Sequence, residues 1–292
     1  MKFKREISLI LAMLLTSSVL AAGCSATTKT TSAASGSDAS QTVTDSTTVA
    51  AADGSLAKVK SAGTLILGLD SAFPPMGFMN DKNEIVGFDI DLAREVTKRM
   101  GVELKLQPID WDSNVLELNS GNIDCIWNGF SISEERKAEV NFTDAYMQNR
   151  QVVIVRGDSG ITALADLAGK TLCLQAGSSA ADALASHADF KSSLKEVVEL
   201  SDNVTAFMEL EGKTSDAILM DEIVAAYYIT QNNKDYKILD ESLADEQYGV
   251  GFRIGDQSLR DEVNNQLKAM AADGTLAEIS DTWFGKNVTV IK

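Results

Sequence analysis

The chain has 292 residues, 45% of them hydrophobic and 23% charged, with a net charge of −16, three cysteines and a single histidine. That length provides for about two domains with real cores. The acidity excludes a nucleic-acid partner, which needs a basic face. The cysteines form no CxxC pair, and one histidine cannot build a His-rich metal site. A Ser-His-Asp or Cys-His nucleophile would have to be built on His187 alone.

Lys2, Lys4 and Arg5 precede an apolar stretch from Ile7 to Leu20. The stretch is short for a spanning helix and has a basic front, so residues 1–23 are expected to be an export signal. It runs into Leu20-Ala21-Ala22-Gly23-Cys24. This resembles a bacterial lipoprotein box, in which small residues precede a cysteine that is lipidated and becomes the new N-terminus. Ala21 stands where that box carries Leu. Across 25–54, six Ser, eight Thr and seven Ala fill most positions, with no Leu, Ile, Phe, Tyr or Trp. Such a segment buries too little apolar area to offset its ordering entropy, so 24–54 is expected to be a disordered tether. A coil of that length spans about 30 Å root-mean-square. Together these segments imply anchoring to the outer face of a cell membrane, of Gram-positive type, rather than a spanning helix.

From residue 64 the pattern alternates strand and helix. The run Thr64–Asp70 reads as a buried strand. Ile90, Ala93, Val96 and Met100 have helical spacing, and Gly101 fits the position past the helix end. Strands are expected at Val102–Leu106, Ile123–Trp127 and Gln151–Val155, and a helix at Asp112–Ser120. Ser133 is a candidate N-cap for a helix opening with Glu134 and Glu135. A second series follows: strands at Lys170–Leu174, Glu196–Leu200, Asp216–Met220 and Tyr248–Arg253. Helices are expected at Ser178–His187, Asp202–Glu211, Glu222–Ile229, Leu259–Ala272 and Thr275–Trp283. Alternating units of this kind imply parallel sheets covered by helices.

Seven segments, in order, carry a family resemblance. Phe73-Pro74-Pro75-Met76-Gly77-Phe78 leads to Val86-Gly87-Phe88-Asp89-Ile90-Asp91-Leu92-Ala93. Asp110-Trp111-Asp112 precedes Leu118-Asn119-Ser120-Gly121-Asn122-Ile123-Asp124. Gly129-Phe130-Ser131-Ile132-Ser133-Glu134-Glu135-Arg136 precedes Val140-Asn141-Phe142-Thr143-Asp144. Asp166-Leu167-Ala168-Gly169-Lys170 leads to Gln175-Ala176-Gly177-Ser178-Ser179. Ser215–Asp221 and then Ala272–Gly285 complete the set. From about residue 60 to 286 the chain resembles the amino-acid-binding family of bacterial solute-binding proteins, family 3. That resemblance implies a two-lobed α/β architecture, the type II periplasmic binding fold, with two mainly parallel sheets joined by a two-strand hinge. Carried over, lobe 1 covers 55–148 and 250–292, lobe 2 covers 151–247, and the crossings fall near Met147–Arg150 and Gln247–Gly249. The ligand would sit between lobes that close over it.

An α-amino acid carries a carboxylate and an ammonium close together, and burying both takes opposite charges and full hydrogen bonding. A guanidinium grips a carboxylate with two parallel bonds. The resemblance assigns that grip to Arg136, although as a residue it also fits a solvated position in an acid-rich first helical turn. It assigns the ammonium to Asp221, with the Ser131 hydroxyl and the Gly129 carbonyl beside it. Asp221 follows an apolar strand, at the carboxyl end where open α/β sheets place ligands, though a helix N-cap is the alternative role. Gly177-Ser178-Ser179 opens a lobe 2 helix whose N–H groups suit a carboxylate. Phe73 and Trp111 match the apolar walls. Asp70 matches an acid used for polar or cationic side chains, and Gln175 the lobe 2 side of that pocket. Trp127 and Asn128 stand where the family carries smaller residues, so they are expected either to shrink the pocket or, through Asn128, to add an amide to it. Cys125 and Cys173 are expected to be buried small hydrophobes and His187 a surface residue.

The resemblance therefore implies a protein that binds a polar or basic L-amino acid outside the cytoplasm and delivers it to the membrane subunits of an ABC importer, as a monomer, without cofactor, metal or nucleic acid. No GxxxxGK[ST] phosphate loop occurs, so an ATPase would be a separate chain. An enzyme of the cyclohexadienyl dehydratase type on the same scaffold, or a ligand-sensing protein, are the alternatives, because fold alone does not fix function.

Overall fold

The computed structural model describes residues 53–292. The expected export signal, Cys24 and all but the last two residues of the expected tether lie outside the described residues. Asp53 is tied down: its carboxylate accepts from the Ser55 and Ser258 N–H groups at 2.8 and 2.7 Å.

In chain order the elements are α1 (Ser55–Ala62), β1 (Thr64–Leu69), β2 (Ala72–Phe73), β3 (Gly77–Met79), β4 (Ile85–Val86), α2 (Phe88–Met100) and β5 (Glu103–Pro108). A 3₁₀ turn (Trp111–Ser113) runs into α3 (Asn114–Asn119), followed by β6 (Cys125–Ile126), α4 (Glu134–Lys137) and β7 (Val140–Phe142). Then come β8 (Met147–Arg156), β9 (Thr171–Gln175), α5 (Ser179–Ser186), α6 (Ala188–Ser193), β10 (Glu196–Leu200), α7 (Asn203–Glu211) and β11 (Ala217–Asp221). The chain closes with α8 (Glu222–Asn232), β12 (Tyr236–Tyr248), β13 (Gly251–Arg253), α9 (Gln257–Asp273) and α10 (Thr275–Phe284).

Two sheets organise these elements into two lobes. The first has the order β5-β1-β6-β13-β7 and the second β10-β9-β11-β8-β12. Each is mixed. Its first two pairings are parallel and its last two antiparallel. The antiparallel strands are the ones that adjoin the crossings between lobes. The chain leaves the first sheet after β7 for β8 and returns from β12 to β13. The crossings pair with each other, Gln148 opposite Gln247 and Met147 opposite Tyr248. That pairing starts β8 four residues earlier than the apolar run beginning at Gln151 suggests.

Local sequence explains the best-formed elements. In α2, Phe88, Leu92, Val96 and Met100 are buried along one stripe, Asp89 and Asp91 occupy the first turn, and Lys98 and Arg99 the last. These charges complement the helix dipole. In β8, Val152 and Ile154 enter one core while Val153 and Val155 enter another, so the strand is covered on both faces. Burying each such side chain contributes about 1.5–3 kcal/mol. The larger core runs on beneath both sheets and includes Leu67, Phe88 and Val96 as well as Ile154, Phe207 and Met220. Cys125 and Cys173 lie buried and unbridged in β6 and β9, and His187 is exposed at the α5–α6 junction.

Candidate functional site

Much of the candidate set sits where a strand of either sheet ends. Asp70 follows β1, the segment Trp127–Ser131 follows β6, Gln175 ends β9 and Asp221 ends β11. The carboxyl ends of the parallel strands therefore face one cleft between the lobes, which is where such sheets place ligands.

Polar groups meet across this cleft at three places. Gln175 Nε2 donates to Asp70 Oδ2 at 2.8 Å. The Ser131 and Ser179 hydroxyls meet at 3.1 Å. Arg136 Nη2 donates to the Gly177 carbonyl at 3.2 Å. Gly177 has φ +66, and a Cβ there would come within 2.5 Å of Asp112 Cα on the other lobe. Only glycine allows this approach at this conformation, since a left-handed residue with a Cβ costs about 1–2 kcal/mol before any clash. Gly177→Ala is expected to hold the lobes apart. The radius of gyration from small-angle scattering should rise while the melting temperature falls by only a few degrees; a scattering curve identical to that of the unaltered protein would contradict this.

Arg136 is half-buried in α4, whose N-cap Ser133 accepts the Arg136 N–H at 3.1 Å. Its guanidinium lies 4.7 Å from the centre of the Phe130 ring and donates to the Ser131 carbonyl at 3.1 Å. Phe130 is held in turn by Trp111, edge-on at 5.9 Å, and by Phe142, stacked at 5.1 Å. Burial lowers the Arg136 pKa from its ordinary value, against the attraction of Asp182, Glu246, Asp221 and Glu135.

Asp221 occupies the N-cap position of α8 but makes no side-chain cap bond. Its Oδ1 accepts instead from Tyr248 Oη at 2.6 Å and Asn149 Nδ2 at 2.7 Å. Burial and the neighbouring Glu246 carboxylate push its pKa up to about 7. Ser131 Oγ donates to Glu246 Oε2 at 2.9 Å. Ser178 opens α5 and donates to the Gln175 carbonyl at 2.7 Å. The first N–H groups of α5 have no intrahelical acceptor, as at any helix start.

Asp70 is buried, and burial raises its pKa. Its N–H donates to Asn128 Oδ1 at 3.1 Å, and its Oδ1 accepts from Ala72 at 2.8 Å. Asn128 thus backs Asp70 rather than lining the cavity, and Trp127 is wholly buried beside Tyr146, with ring centres 6.4 Å apart. Gln175 is fixed by Asn203 Nδ2 at 2.9 Å. Phe73 lies against Gly129, where a Cβ would come within 2.7 Å of its ring. A cavity of about 730 Å³ opens beside Asp70 and Trp111 and is also lined by Asp110, Glu117 and Asp202. Neither Arg136 nor Asp221 lines it, so the two charged groups and the cavity occupy different parts of the cleft.

Several residues of this arrangement are absent from the sequence-based set: Asp89, Asn149, Gln151, Glu246 and Tyr248. Asp89 is fully buried, accepts from the Gly129 N–H at 2.7 Å and Tyr146 Oη at 2.9 Å, and so fixes the turn beneath Ser131. Asn149 and Gln151 are polar residues at buried positions of β8, whose other buried residues are all apolar. That signal was present in the sequence. Among the described residues, no three His, Cys, Asp or Glu side chains converge as a metal site would need.

The family of bacterial extracellular solute-binding proteins, family 3, matches residues 65–286. The chain belongs to this family. Among its relatives, the L-cystine-binding protein TcyJ of Escherichia coli K12 is 32% identical over 239 residues, 81% of this chain and 88% of that protein. The arginine-binding extracellular protein ArtP of Bacillus subtilis is 32% identical over 225 residues, 75% of this chain and 86% of that one. A substrate-binding protein of an ABC uptake transporter from Streptococcus pneumoniae, solved with bound histidine, superimposes with a TM-score of 0.79 at 38% identity. That match covers 82% of this chain and 98% of the pneumococcal one. In this solute-binding protein the guanidinium of Arg136 feels the carboxylates of Asp221 and Glu246, and Asp70 lies in a different part of the cleft.

Proposed function

We propose that the protein captures a free L-amino acid with a polar or basic side chain and delivers it to an ABC importer by closure of the lobes. The observation that carries this reading is the convergence of Arg136, Ser131, Ser179 and Asp221 on one cleft. Arg136 would take the α-carboxylate through its two terminal nitrogens, replacing the Gly177 carbonyl it now meets, with the first N–H groups of α5 on the same oxygens. Asp221, with the Ser131 hydroxyl and the Gly129 carbonyl, would take the ammonium. Phe73 and Trp111 would flank the side chain, and Asp70 and Gln175 would meet its polar end, with Asn128 holding Asp70 in place.

The cavity beside Asp70 favours a cationic side chain. Asp70, Asp110, Glu117 and Asp202 line it, and no Lys or Arg does. Of these carboxylates only Asp70 is buried, and a guanidinium or ammonium pairs with it where a neutral side chain leaves it uncompensated. Binding without conversion is part of the reading, since its work is done by charge pairing and closure. We also propose that the protein is exported, lipidated at Cys24 and held as a monomer at the outer face of a Gram-positive-type cell membrane, on the basic, apolar and small-residue pattern of residues 1–24.

Calorimetry following a thermal-shift screen of the twenty amino acids, ornithine, citrulline and cystine tests the reading. Arginine, lysine or ornithine is expected to raise the melting temperature most, with glutamate and aspartate giving no shift. Loss of a response to every amino acid would refute the function, and a preference for acidic ligands would refute the role of the cavity.

A further inference from the structure

Glu246 lies on β12 where that strand approaches the crossing, and its side chain reaches into the cleft. Its Oε2 accepts from Ser131 Oγ at 2.9 Å, Gln151 Nε2 at 3.0 Å, Asn149 Nδ2 at 3.2 Å and Ser179 Oγ at 3.2 Å. These donors come from both lobes and from the first crossing strand. Asn149 Nδ2 also donates to Asp221 Oδ1 at 2.7 Å, so one nitrogen sits between the two carboxylates. Arg136 from α4 attracts Glu246, the Tyr248 hydroxyl from β12 bonds Asp221, and Lys137, Arg150, Glu222 and Asp245 line an adjoining pocket with Glu246.

Four donors mark Oε2 as a strongly anionic point but more than fill its lone pairs, so a ligand N–H would displace one of them or reach Oε1, which accepts none of these bonds. An ammonium has three N–H bonds in a tetrahedral spread, enough to serve Asp221, Glu246 and one further acceptor at once. We propose that Glu246 is a second anionic partner of the ligand's α-ammonium, acting with Asp221 and making the site selective for a primary ammonium group. The proposal rests on the amino-acid reading above and deepens it. It also sharpens the preference for cationic ligands. With Glu246 counted, the cleft sets Arg136 against Asp70, Asp221 and Glu246, and a ligand with two positive groups and one negative group offsets that imbalance better than a neutral zwitterion.

The test compares L-arginine with 5-guanidinopentanoic acid, which keeps the side chain and carboxylate but lacks the amino group. If the screen ranks another amino acid first, that amino acid and its des-amino acid take their place. Calorimetry is run on the unaltered protein, Glu246→Gln and Glu246→Asp, with melting curves to establish folding. Glu246→Gln should weaken amino-acid binding by about tenfold to a hundredfold and leave the des-amino acid almost unaffected, so the ratio between the two contracts. Glu246→Asp, which keeps the charge but withdraws it, should fall between. Equal losses for both ligands, or a ratio unchanged in both variants, would overturn the proposal and leave Glu246 a latch between lobes. Absence of amino-acid binding by the unaltered protein would instead overturn the functional reading itself.

Discussion

Replacing Arg136 with alanine is expected to weaken amino-acid binding by about two to four decades while the protein still folds, because leaving one member of a buried charge pair unpaired costs about 3–5 kcal/mol. Among the described residues, the other cations near this part of the cleft, Lys137 and Arg150, are already paired with the carboxylates of Glu134 and Glu222. Arg136 instead donates to the Ser131 and Gly177 carbonyls beside the Ser131–Ser179–Glu246 cluster. Folding depends on it less. Its own contacts are the Ser131 and Gly177 carbonyls and the face of Phe130. Two hydrogen bonds of this kind are worth about 1 kcal/mol each, so the melting temperature should fall by a few degrees. Arg136→Lys separates charge from shape. A lysine keeps the positive charge but loses the planar fork and its stacking on Phe130, so it should recover only part of the affinity. Calorimetry on the three proteins decides the point. Micromolar binding retained by the alanine variant would refute the carboxylate role.

The sequence made the helices and the strand ends easier to read than the edges of the sheets. The stripe Phe88, Leu92, Val96, Met100 with its charged ends and closing Gly101 is a complete local specification, and α2 forms at Phe88–Met100. The apolar run before Asp221 likewise forms β11 as a strand buried along its whole length. By contrast β12, the longest strand at 13 residues, left no period-2 signal. It is an edge strand, rich in acids, and its register shifts between Ile238 and Ser242 and again before Ala244, so alternation of polar and apolar residues is lost. The strands β2, β3 and β4 are two or three residues long and fall below what any periodicity can report. The same cause hid Glu246. In an acidic edge segment a carboxylate reads as a solvated charge, and only the pairing of the two crossings turns it inward. The mixed character of the sheets follows from those crossings too, since βα alternation specifies parallel pairs and is silent about strands that pass between lobes. Asn128 illustrates the remaining gap. The family resemblance placed it at the pocket, and its amide oxygen instead accepts from the Asp70 N–H.

Amino-acid affinity is expected to fall as the solution is acidified through about pH 7, by up to tenfold for each unit, because a pKa difference of one unit between free and bound states is worth about 1.36 kcal/mol. The group responsible is Asp221. In the ligand-free protein its pKa stands at about 7, raised first by burial and then by the Glu246 carboxylate, against the hydrogen bonds it accepts. Tyr248 Oη, Asn149 Nδ2 and Gln151 face it from the two crossing strands, Glu246 from β12, and Arg136 attracts it from α4. An ammonium against this carboxylate favours its ionised form and lowers its pKa. Above about pH 7 the site is ready. Below it, the ligand must first expel a proton. For the folding of the free protein the sign is reversed. A carboxyl whose folded pKa lies above its unfolded value contributes stability that is fullest below about pH 4 and lost as the pH rises through about 7. The protection that ligand gives against melting should therefore grow from acid to neutral pH. Asp89, also raised to about 7 by burial, lies beneath Gly129 outside this group and titrates with or without ligand. Asp221→Asn isolates the effect. Its binding should be weaker by about two decades near pH 8 and should have lost the part of the pH dependence that Asp221 supplies, whereas Asp70 and any cationic side chain titrate alike in both proteins. Dissociation constants for the unaltered protein that stay level from about pH 8 to about pH 5, or Asp221→Asn reproducing its slope, would remove Asp221 from the ammonium site.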